Sequence, residues 1–438
     1  MRLRVARGIA LLAALLLLAA CATTPITVKP HDALDALAED YVHLLLALGE
    51  HDPLSVDAYY GPREWRMAVQ GDTPTLAEIG RRSTALGVAL DAIGDPGDTH
   101  QHARQRMLSA QVRALHTRAL QLQGQTFSFD EEAQLLYGVT PPRYQEADFS
   151  KALAALEKLL PGEGALAERY ERFVAPFNVP PAQIEALMQR AIDISRLQTR
   201  AQLALPDEEH VELALVTQQP WAAYNWYQGG YLSRIEINTE QPVSVRALMS
   251  LAAHEGYPGH HVYNLLLESR LLRERGWIEY CIYPLFSPQA LIAEGAADLG
   301  VGLVFPGAAY ARVERELMQQ AGLPLAELDR YRRVQAQVHT LRGAPIEAAR
   351  RYLDGALSRD QALQWLQTYA LLTPARAQQR LQFIERYRSY IINYSYGQQQ
   401  VRDWLLRSWW ARLSSEARWR RYAELLAEPH TPADLLHD

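Results

Sequence analysis

Residues 254–261 read His-Glu-Gly-Tyr-Pro-Gly-His-His, and a mostly apolar stretch that predicts a buried helix leads into them. Pro258 has no N–H to offer the carbonyl of His254, and its ring clashes with that carbonyl, so the helix must kink or bulge. Gly259 permits whatever backbone angle follows. A straight, continuous helix is therefore excluded across this octet.

The octet also carries side chains that bind metals. His254 is followed directly by Glu255, where a metal-assisted hydrolase has its general base. On a straight helix His260 would point away from His254, and His261 would lie about 10 Å further along the axis. The break at Pro258 can return either imidazole to His254. We favour His260 as the second ligand and place His261 among the residues that support the ligands.

A third ligand is predicted on a later helix. Glu294 lies in an apolar stretch of small residues, and a buried carboxylate needs a partner. Asp298 is one turn further on the same face and could accept the free N–H of a ligand histidine. The small residues 295–297 predict that this helix approaches the first one closely.

Taken together, these residues predict one Zn²⁺ per chain, bound by His254, His260 and Glu294. A lone His-Glu pair would be weak support, because the chain has 13 histidines and most histidines in helical proteins are surface or core residues. The combination of His-Glu, a second His pair after Pro-Gly, and a Glu-x-x-x-Asp helix favours a metal site. A structural zinc is disfavoured, because such sites usually include cysteine and no cysteine lies at ligand spacing here.

At these residues the chain resembles the bacterial proteins of domain of unknown function 885, which are predicted zinc metallopeptidases related to the helical gluzincins. Their signature, His-Glu-x-x-Pro-Gly-His-His followed by Glu-Gly on a later helix, matches residues 254–261 and 294–295. A Tyr-x-x-Gly segment matches residues 394–397, and an extended stretch before the site matches residues 231–239. The chain departs from the family in its shorter length and in having no recognisable Asp-x-Gly-x-His segment, although His339 lies in that interval.

The resemblance implies further site residues. It places Tyr394 near the metal, as a candidate donor to the reaction's oxyanion, although Tyr394 could equally be one more core aromatic. It places Asn238 in an extended strand beside the cleft, as a candidate substrate-binding residue. Such a strand can pair with a substrate backbone, or it can be an ordinary hairpin. Arg386, on an Arg-rich stretch, could bind a substrate carboxylate or be simply solvated.

The function that follows is zinc-dependent hydrolysis of a peptide substrate, with Glu255 as general base and Tyr394 as catalytic partner. One alternative is a lipid-anchored binding or scaffold protein that keeps a metallopeptidase-like fold without turnover. Another is hydrolysis of amide bonds outside proteins, such as peptidoglycan cross-links. The retained Glu255 favours the enzyme, since a binding module has little use for a general base.

The N-terminus indicates export to the cell envelope. Residues 1–20 combine an Arg-rich start with a short apolar run and end in Leu-Ala-Ala before Cys21, which is typical of a lipoprotein signal peptide. Cys21 would then be lipidated, with residues 21–32 as a tether from the membrane, most simply the periplasmic face of the outer membrane. The only other cysteine, Cys281, is expected to be a buried small hydrophobe. The formal net charge of −6, without a basic cluster, predicts no nucleic-acid partner.

Apolar residues at helical spacing recur through the remaining chain and are separated by Pro and Gly turns. We therefore expect residues 33–438 to form one mainly α, metallopeptidase-like domain, built as one core or as two tightly packed lobes, with an active-site cleft. Residues 231–239 are the only good strand candidate, so a single short β element is predicted.

Overall fold

The computed structural model describes residues 32–219, 221–407 and 413–437. The predicted signal peptide, Cys21 and nearly all of the predicted tether lie outside these residues. The described chain is mainly α-helical, as the apolar periodicity predicts.

The N-terminal half is a succession of helices that bury one apolar face each. Asp32 caps the first helix by accepting a hydrogen bond from the Asp35 N–H at 2.9 Å. Ser128 and Glu131 form a capping box at the start of another. The helices of this half are α1 (Ala33–His51), α2 (Arg63–Gly71), α3 (Leu76–Ala92), α4 (Thr99–Leu122), α5 (Phe129–Tyr137), α6 (Glu146–Leu159), α7 (Leu166–Val174) and α8 (Ile184–Arg200).

The prediction of one short β element is wrong, because the described residues contain two small sheets. β1 (Val56–Tyr59) pairs antiparallel with β5 (Ile282–Pro284). The second sheet has the order β2-β4-β3, with β2 (His210–Val216) parallel and β3 (Ala223–Gly229) antiparallel to β4 (Leu232–Asn238). The missed strands are short, and their pairing depends on segments far away in the sequence.

The predicted strand 231–239 corresponds to β4, which lies in the middle of its sheet and has hydrogen-bonded neighbours on both sides. It therefore cannot add a substrate strand along the cleft, and that part of the prediction is corrected. The edge position next to the cleft belongs to β3.

The C-terminal half is likewise mainly helical. The helices of this half are α9 (Val245–Leu251), α10 (His260–Leu266), α11 (Pro288–Val304), α12 (Ala308–Gln320), α13 (Leu328–His339), α14 (Ala344–Leu353), α15 (Arg359–Tyr369), α16 (Pro374–Tyr387), α17 (Ile392–Arg407), α18 (Ser415–Ala427) and α19 (Asp434–His437). Among described residues, no single helix is long and apolar enough to cross a membrane. One bent pair, α11 with α12 at 85°, passes that test on length and composition alone.

A buried ion-pair group ties the N-terminal helices to the middle of the chain. The guanidinium of Arg104 on α4 is only 1 % exposed. It donates to both carboxylate oxygens of Glu279, at 2.7 and 2.9 Å, and to Asp35 on α1 at 2.7 Å. A buried arginine in this protein is thus matched by acids, since an unpaired buried charge is strongly destabilising.

Helix α11 packs along α17 at a point where both helices have glycine. A Cβ on Gly295 would lie 2.4 Å from the carbonyl oxygen of Gly397, so only glycine fits there. The sequence predicted that the small residues beside Glu294 let α11 approach the His254 helix. Helix α11 does contact that segment, and Gly295 also admits α17. This contact brings the tyrosines of the α17 segment next to Glu294.

We predict that Gly295→Ala lowers the free energy of unfolding by about 1–3 kcal/mol, the usual cost of overpacking. Gly302→Ala on the same helix is the matched control, because Gly302 is exposed and an added Cβ meets nothing within 4 Å. That control should be neutral or stabilising by up to about 1 kcal/mol. Urea unfolding of both variants measures the difference, and equal stabilities would contradict the close contact.

Candidate metal centre

The helix that carries His254 breaks where the sequence predicts. Helix α9 runs into a π-helical turn, Ala252–Gly256, in which the Tyr257 N–H donates to the Ala252 carbonyl at 3.1 Å. The Tyr257–Pro258 peptide is cis, and the Gly259 N–H then donates to the Ala253 carbonyl at 2.9 Å. Helix α10 begins at His260.

Gly259 is required at this break for a steric reason. A Cβ at this position would lie 1.9 Å from the carbonyl oxygen of His254 and 2.6 Å from that of Ala253. No side chain is compatible with so close an approach of two backbone segments. The approach turns the chain back on itself, and it places His260 beside His254 rather than six residues along a helix.

Three side chains converge on one point. The Nε2 atoms of His254 and His260 are 3.1 Å apart, and Oε2 of Glu294 lies 3.2 Å from the first and 3.7 Å from the second. Ligands held at about 2.0–2.1 Å around a tetrahedral Zn²⁺ are roughly 3.3–3.4 Å apart, so these separations fit a zinc ion. The same three residues form a group that could hold a metal ion.

Glu294 shows a second sign of a missing partner. Its Oε1 atom accepts a hydrogen bond from the Tyr390 hydroxyl at 2.8 Å. Its Oε2 atom is buried, and among the described residues the groups close enough to donate to it are Nε2 of His254 and Nε2 of His260. A buried carboxylate oxygen that faces unprotonated imidazole nitrogens has no donor, which is costly, and a cation shared with the two imidazoles would remove that cost.

The electrostatics of the site also favour a cation. Burial opposes protonation of His254, but hydrogen bonds to Asp298 and Glu294 raise the pKa of this imidazole well above its usual value. Burial raises the pKa of Glu255. Where acids and imidazoles crowd together in this way, either protons or a metal ion must balance the negative charge.

Side chains next to the candidate ligands hold the His254 ring and the backbone of Glu255 in orientation. Nδ1 of His254 lies 3.0 Å from Oδ1 of Asp298, as the sequence predicted, which leaves Nε2 facing Glu294 and His260. The Asn225 side chain on β3 donates to the backbone carbonyl of Glu255 at 2.6 Å and fixes the turn. The side chain of Glu255 lines the cavity beside the ligands.

His261 lies away from the metal group, although it follows His260 directly. Its ring is fully buried, with Nδ1 at 2.8 Å from the Ser233 hydroxyl on β4 and Nε2 at 3.2 Å from Glu209. Burial alone would raise the pKa of Glu209, but hydrogen bonds from His261, Tyr257 and two arginines lower it to about 2. His261 thus anchors the start of α10 to the sheet and is not positioned as a ligand.

A cavity of about 650 Å³ opens in front of the three converging side chains. Edge strand β3 and the segment before it contribute one part of the lining, and helix α16 contributes another. The aromatic lining residues are Trp221, Tyr224, Trp226, Tyr283, Phe383, Tyr387, Tyr390 and Tyr394. The volume is in the range of small-molecule and peptide sites.

Of the remaining predicted residues, only Tyr394 lines the cavity. Its ring packs against that of Tyr390, with centroids 5.8 Å apart. Asn238 is buried, and its side chain donates to the carbonyls of Gln219 and Trp221, so it shapes the loop behind the cavity wall. Arg386 is exposed, lies over the ring of Tyr387 and does not line the cavity, which corrects its predicted role.

The structure adds three cavity residues that sequence reasoning missed: Asp57, Tyr390 and Arg380. Asp57 on β1 accepts a hydrogen bond from the Tyr224 hydroxyl, and burial raises its pKa to about 7. No short motif marks Asp57. Tyr390 precedes Tyr394 by one helical turn, and that spacing was a usable signal. Cys281 is fully buried, as predicted, and burial raises the pKa of its thiol.

No protein-family model matches the chain, and no curated protein matches it. Among solved structures it is similar to "the putative lipoprotein from Colwellia psychrerythraea", with 14% identity over 93% of this chain and 76% of that one, at a TM-score of 0.48. It is also similar to "a putative lipoprotein of unknown function from Shewanella oneidensis", with 11% identity over 92% and 81% of the two chains and a TM-score of 0.45.

We predict that the two adjacent histidines respond differently to substitution. His260→Ala should remove most bound Zn²⁺, because it deletes a ligand, whereas His261→Ala should retain the metal. His261→Ala should instead lower the free energy of unfolding by about 1–3 kcal/mol, since it leaves buried polar partners unsatisfied. Metal analysis by mass spectrometry and urea unfolding test both statements. Loss of zinc in His261→Ala with full occupancy in His260→Ala would show that the ligand is misassigned.

Proposed function

We propose that this chain is a zinc-dependent hydrolase of peptide bonds. The observation that carries the proposal is the set of three separations, 3.1, 3.2 and 3.7 Å, between the ligand atoms of His254, His260 and Glu294. Such a set, open to a cavity, is the arrangement of catalytic rather than structural zinc. When bound there, Zn²⁺ supplies a Lewis acid that lowers the pKa of water and polarises a carbonyl.

Glu255 is the general base of this proposal. Its carboxylate lines the cavity and follows a ligand directly in sequence. Burial raises its pKa, which makes the carboxylate a better proton acceptor than a solvated glutamate. Glu255 takes a proton from the attacking water and delivers it to the amine that leaves, so the products are a carboxylic acid and an amine.

Two tyrosines support the proposed reaction in different ways. The Tyr390 hydroxyl donates to Glu294 and holds that carboxylate in place. Tyr394 lines the cavity and has its pKa raised, by burial and then by the charge of Glu294, so its hydroxyl stays protonated. A protonated phenol can donate to the negative oxygen that develops on the scissile carbonyl.

The cavity walls suit a peptide. β3 is an edge strand beside the ligands, and an edge strand can pair with an extended substrate backbone. Aromatic rings on both sides can cover apolar substrate side chains.

The proposed cellular location rests on the N-terminal sequence. A short apolar run ending at Cys21 indicates a lipoprotein of the bacterial envelope, anchored by acyl chains. Outer-membrane attachment, facing the periplasm, is the specific form of this proposal. Fractionation of cells tests it, since wild-type protein should sediment with outer membranes and Cys21→Ser should not carry lipid. Full-length Met1 on the cellular protein would contradict it.

Glu255→Gln separates metal binding from chemistry, because glutamine has nearly the same shape and cannot accept the proton. We predict that the variant keeps its zinc and loses turnover by at least about a hundredfold, the low end for a general base. The measurement is metal content together with peptide cleavage, followed by mass spectrometry of a mixed peptide library.

Tyr394→Phe is the companion variant in the same assay. It should keep zinc and substrate affinity and lower kcat, since it deletes a donor to the transition state only. Hydrolysis at the wild-type rate by Glu255→Gln would refute the mechanism. A zinc-loaded wild-type chain that cleaves no peptide in the library would favour a non-catalytic binding protein.

A further inference from the structure

Three arginines line the cavity, and they differ in their partners. Arg342 lies 3.7 Å from a carboxylate oxygen of Asp298, and Arg376 lies 3.3 Å from one of Glu171. Within the described ranges, no carboxylate lies within ion-pair distance of the third, Arg380. The central carbon of its guanidinium lies 5.6 Å from the centroid of the Phe383 ring.

Buried arginines elsewhere in the described chain are paired with acids, which Arg380 is not. Arg104 is held by two acids, and Arg350, which is 3 % exposed, pairs with Asp130 and Glu347. Burial lowers the pKa of Arg380 because no acid offsets the loss of water, yet a guanidinium keeps its charge in proteins. A guanidinium that faces a cavity without a counter-ion is a site for an anion.

Helix α16 aims Arg380 at the same space as the metal group. The cavity-lining residues of α16 follow helical spacing and so share one face: Arg376, Gln379, Arg380, Phe383 and Tyr387. The ring of Phe383 lies 6.2 Å from that of Tyr394, and Tyr394 in turn packs on Tyr390, which donates to Glu294. A few side chains therefore separate the guanidinium from the proposed zinc ligands.

Charge is distributed unevenly over the cavity. The acids that line it, Asp57, Glu255, Glu294 and Asp298, surround the two ligand histidines. Arg380 lies on α16, next to the ring of Phe383, which packs on Tyr394 and through it on Tyr390. A substrate with one negative end is repelled from the acids and attracted to Arg380, which gives it a single orientation.

We propose, on the basis of the function proposed above, that the substrates are peptides with a free C-terminal carboxylate, and that Arg380 binds this carboxylate. A guanidinium forms two parallel hydrogen bonds to a carboxylate, which fixes both position and direction. The enzyme would then cleave near the C-terminal end of its peptides, with the aromatic walls covering the terminal side chains.

Hexapeptides that differ in their last residue, each made as a free acid and as a C-terminal amide, test this proposal on the zinc-loaded full chain. The acid should have a kcat/KM at least about tenfold higher than the amide, the low end for a hydrogen-bonded charge pair. Arg380→Met should lower the value for the acid to that for the amide, and Arg380→Lys should restore part of the preference.

Arg420→Met is the charge-matched control, because Arg420 is two-thirds exposed and pairs with Glu416 on α18. It should leave the preference for the acid intact. Arg386→Met tests whether the sequence-based assignment to Arg386 is the better one. Equal rates for acid and amide in the wild type, or a preference that survives in Arg380→Met but not in Arg386→Met, would overturn the assignment to Arg380.

Binding measured by calorimetry separates this inference from the hydrolase proposal. Zinc-loaded Glu255→Gln should bind the peptide acid at least about tenfold more tightly than the amide, and the double variant with Arg380→Met should not. If the wild type cleaves nothing but this binding preference holds, the hydrolase proposal fails and the carboxylate site stands. If acid and amide bind and react alike, the carboxylate site fails and the hydrolase proposal stands.

Discussion

The close approach of Gly259 to the carbonyl of His254 is the contact on which the site depends. At this contact helix α9 ends in a π-helical turn, and helix α10 begins at His260. Two consecutive imidazoles are thereby sent in different directions. His260 faces His254 and Glu294, while His261 enters the core between Ser233 and Glu209. One backbone feature thus provides both a candidate ligand and the anchor that keeps it in place.

The second constraint is the concentration of acids around these imidazoles. Asp57, Glu255 and Glu294 line one cavity, and burial penalises the charge on each. Asp57 and Glu255 respond with raised pKa values, whereas interactions with His260 and His254 overcome the effect of burial on Glu294 and lower its pKa. A divalent cation would compete with protons for these groups, so metal uptake should be accompanied by proton release.

The sequence allowed accurate inference wherever a local rule operated. Proline and glycine fix the break before His260, and a four-residue spacing puts Asp298 on the face of Glu294, where it meets His254. The mainly helical fold also follows from local periodicity. Contacts between segments far apart in the sequence could not be predicted from such local rules. The pairing of β4 with β2 and β3, and the docking of α17 against Gly295, depend on tertiary packing that no short pattern encodes.

The same distinction applies to helix α16, where the sequence favours Arg386 but Arg380 lines the cavity. Both are arginines on one helix, and six residues on a helix correspond to a different face. Which face meets the cavity is decided by the packing of α16, not by its own sequence.

Elsewhere in the interior, charged groups find partners, as Arg104 does with Glu279 and Asp35. Two charged side chains that line one cavity are matched less fully among the described residues: Oε2 of Glu294 meets only imidazole nitrogens, and no carboxylate lies within ion-pair distance of Arg380. Charges without a matched partner reduce stability, so their presence at one cavity is best explained by ligands that complete them. A cation at Glu294 and a carboxylate at Arg380 satisfy both groups. A peptide held at its carboxylate end would then have an amide bond presented to Glu255.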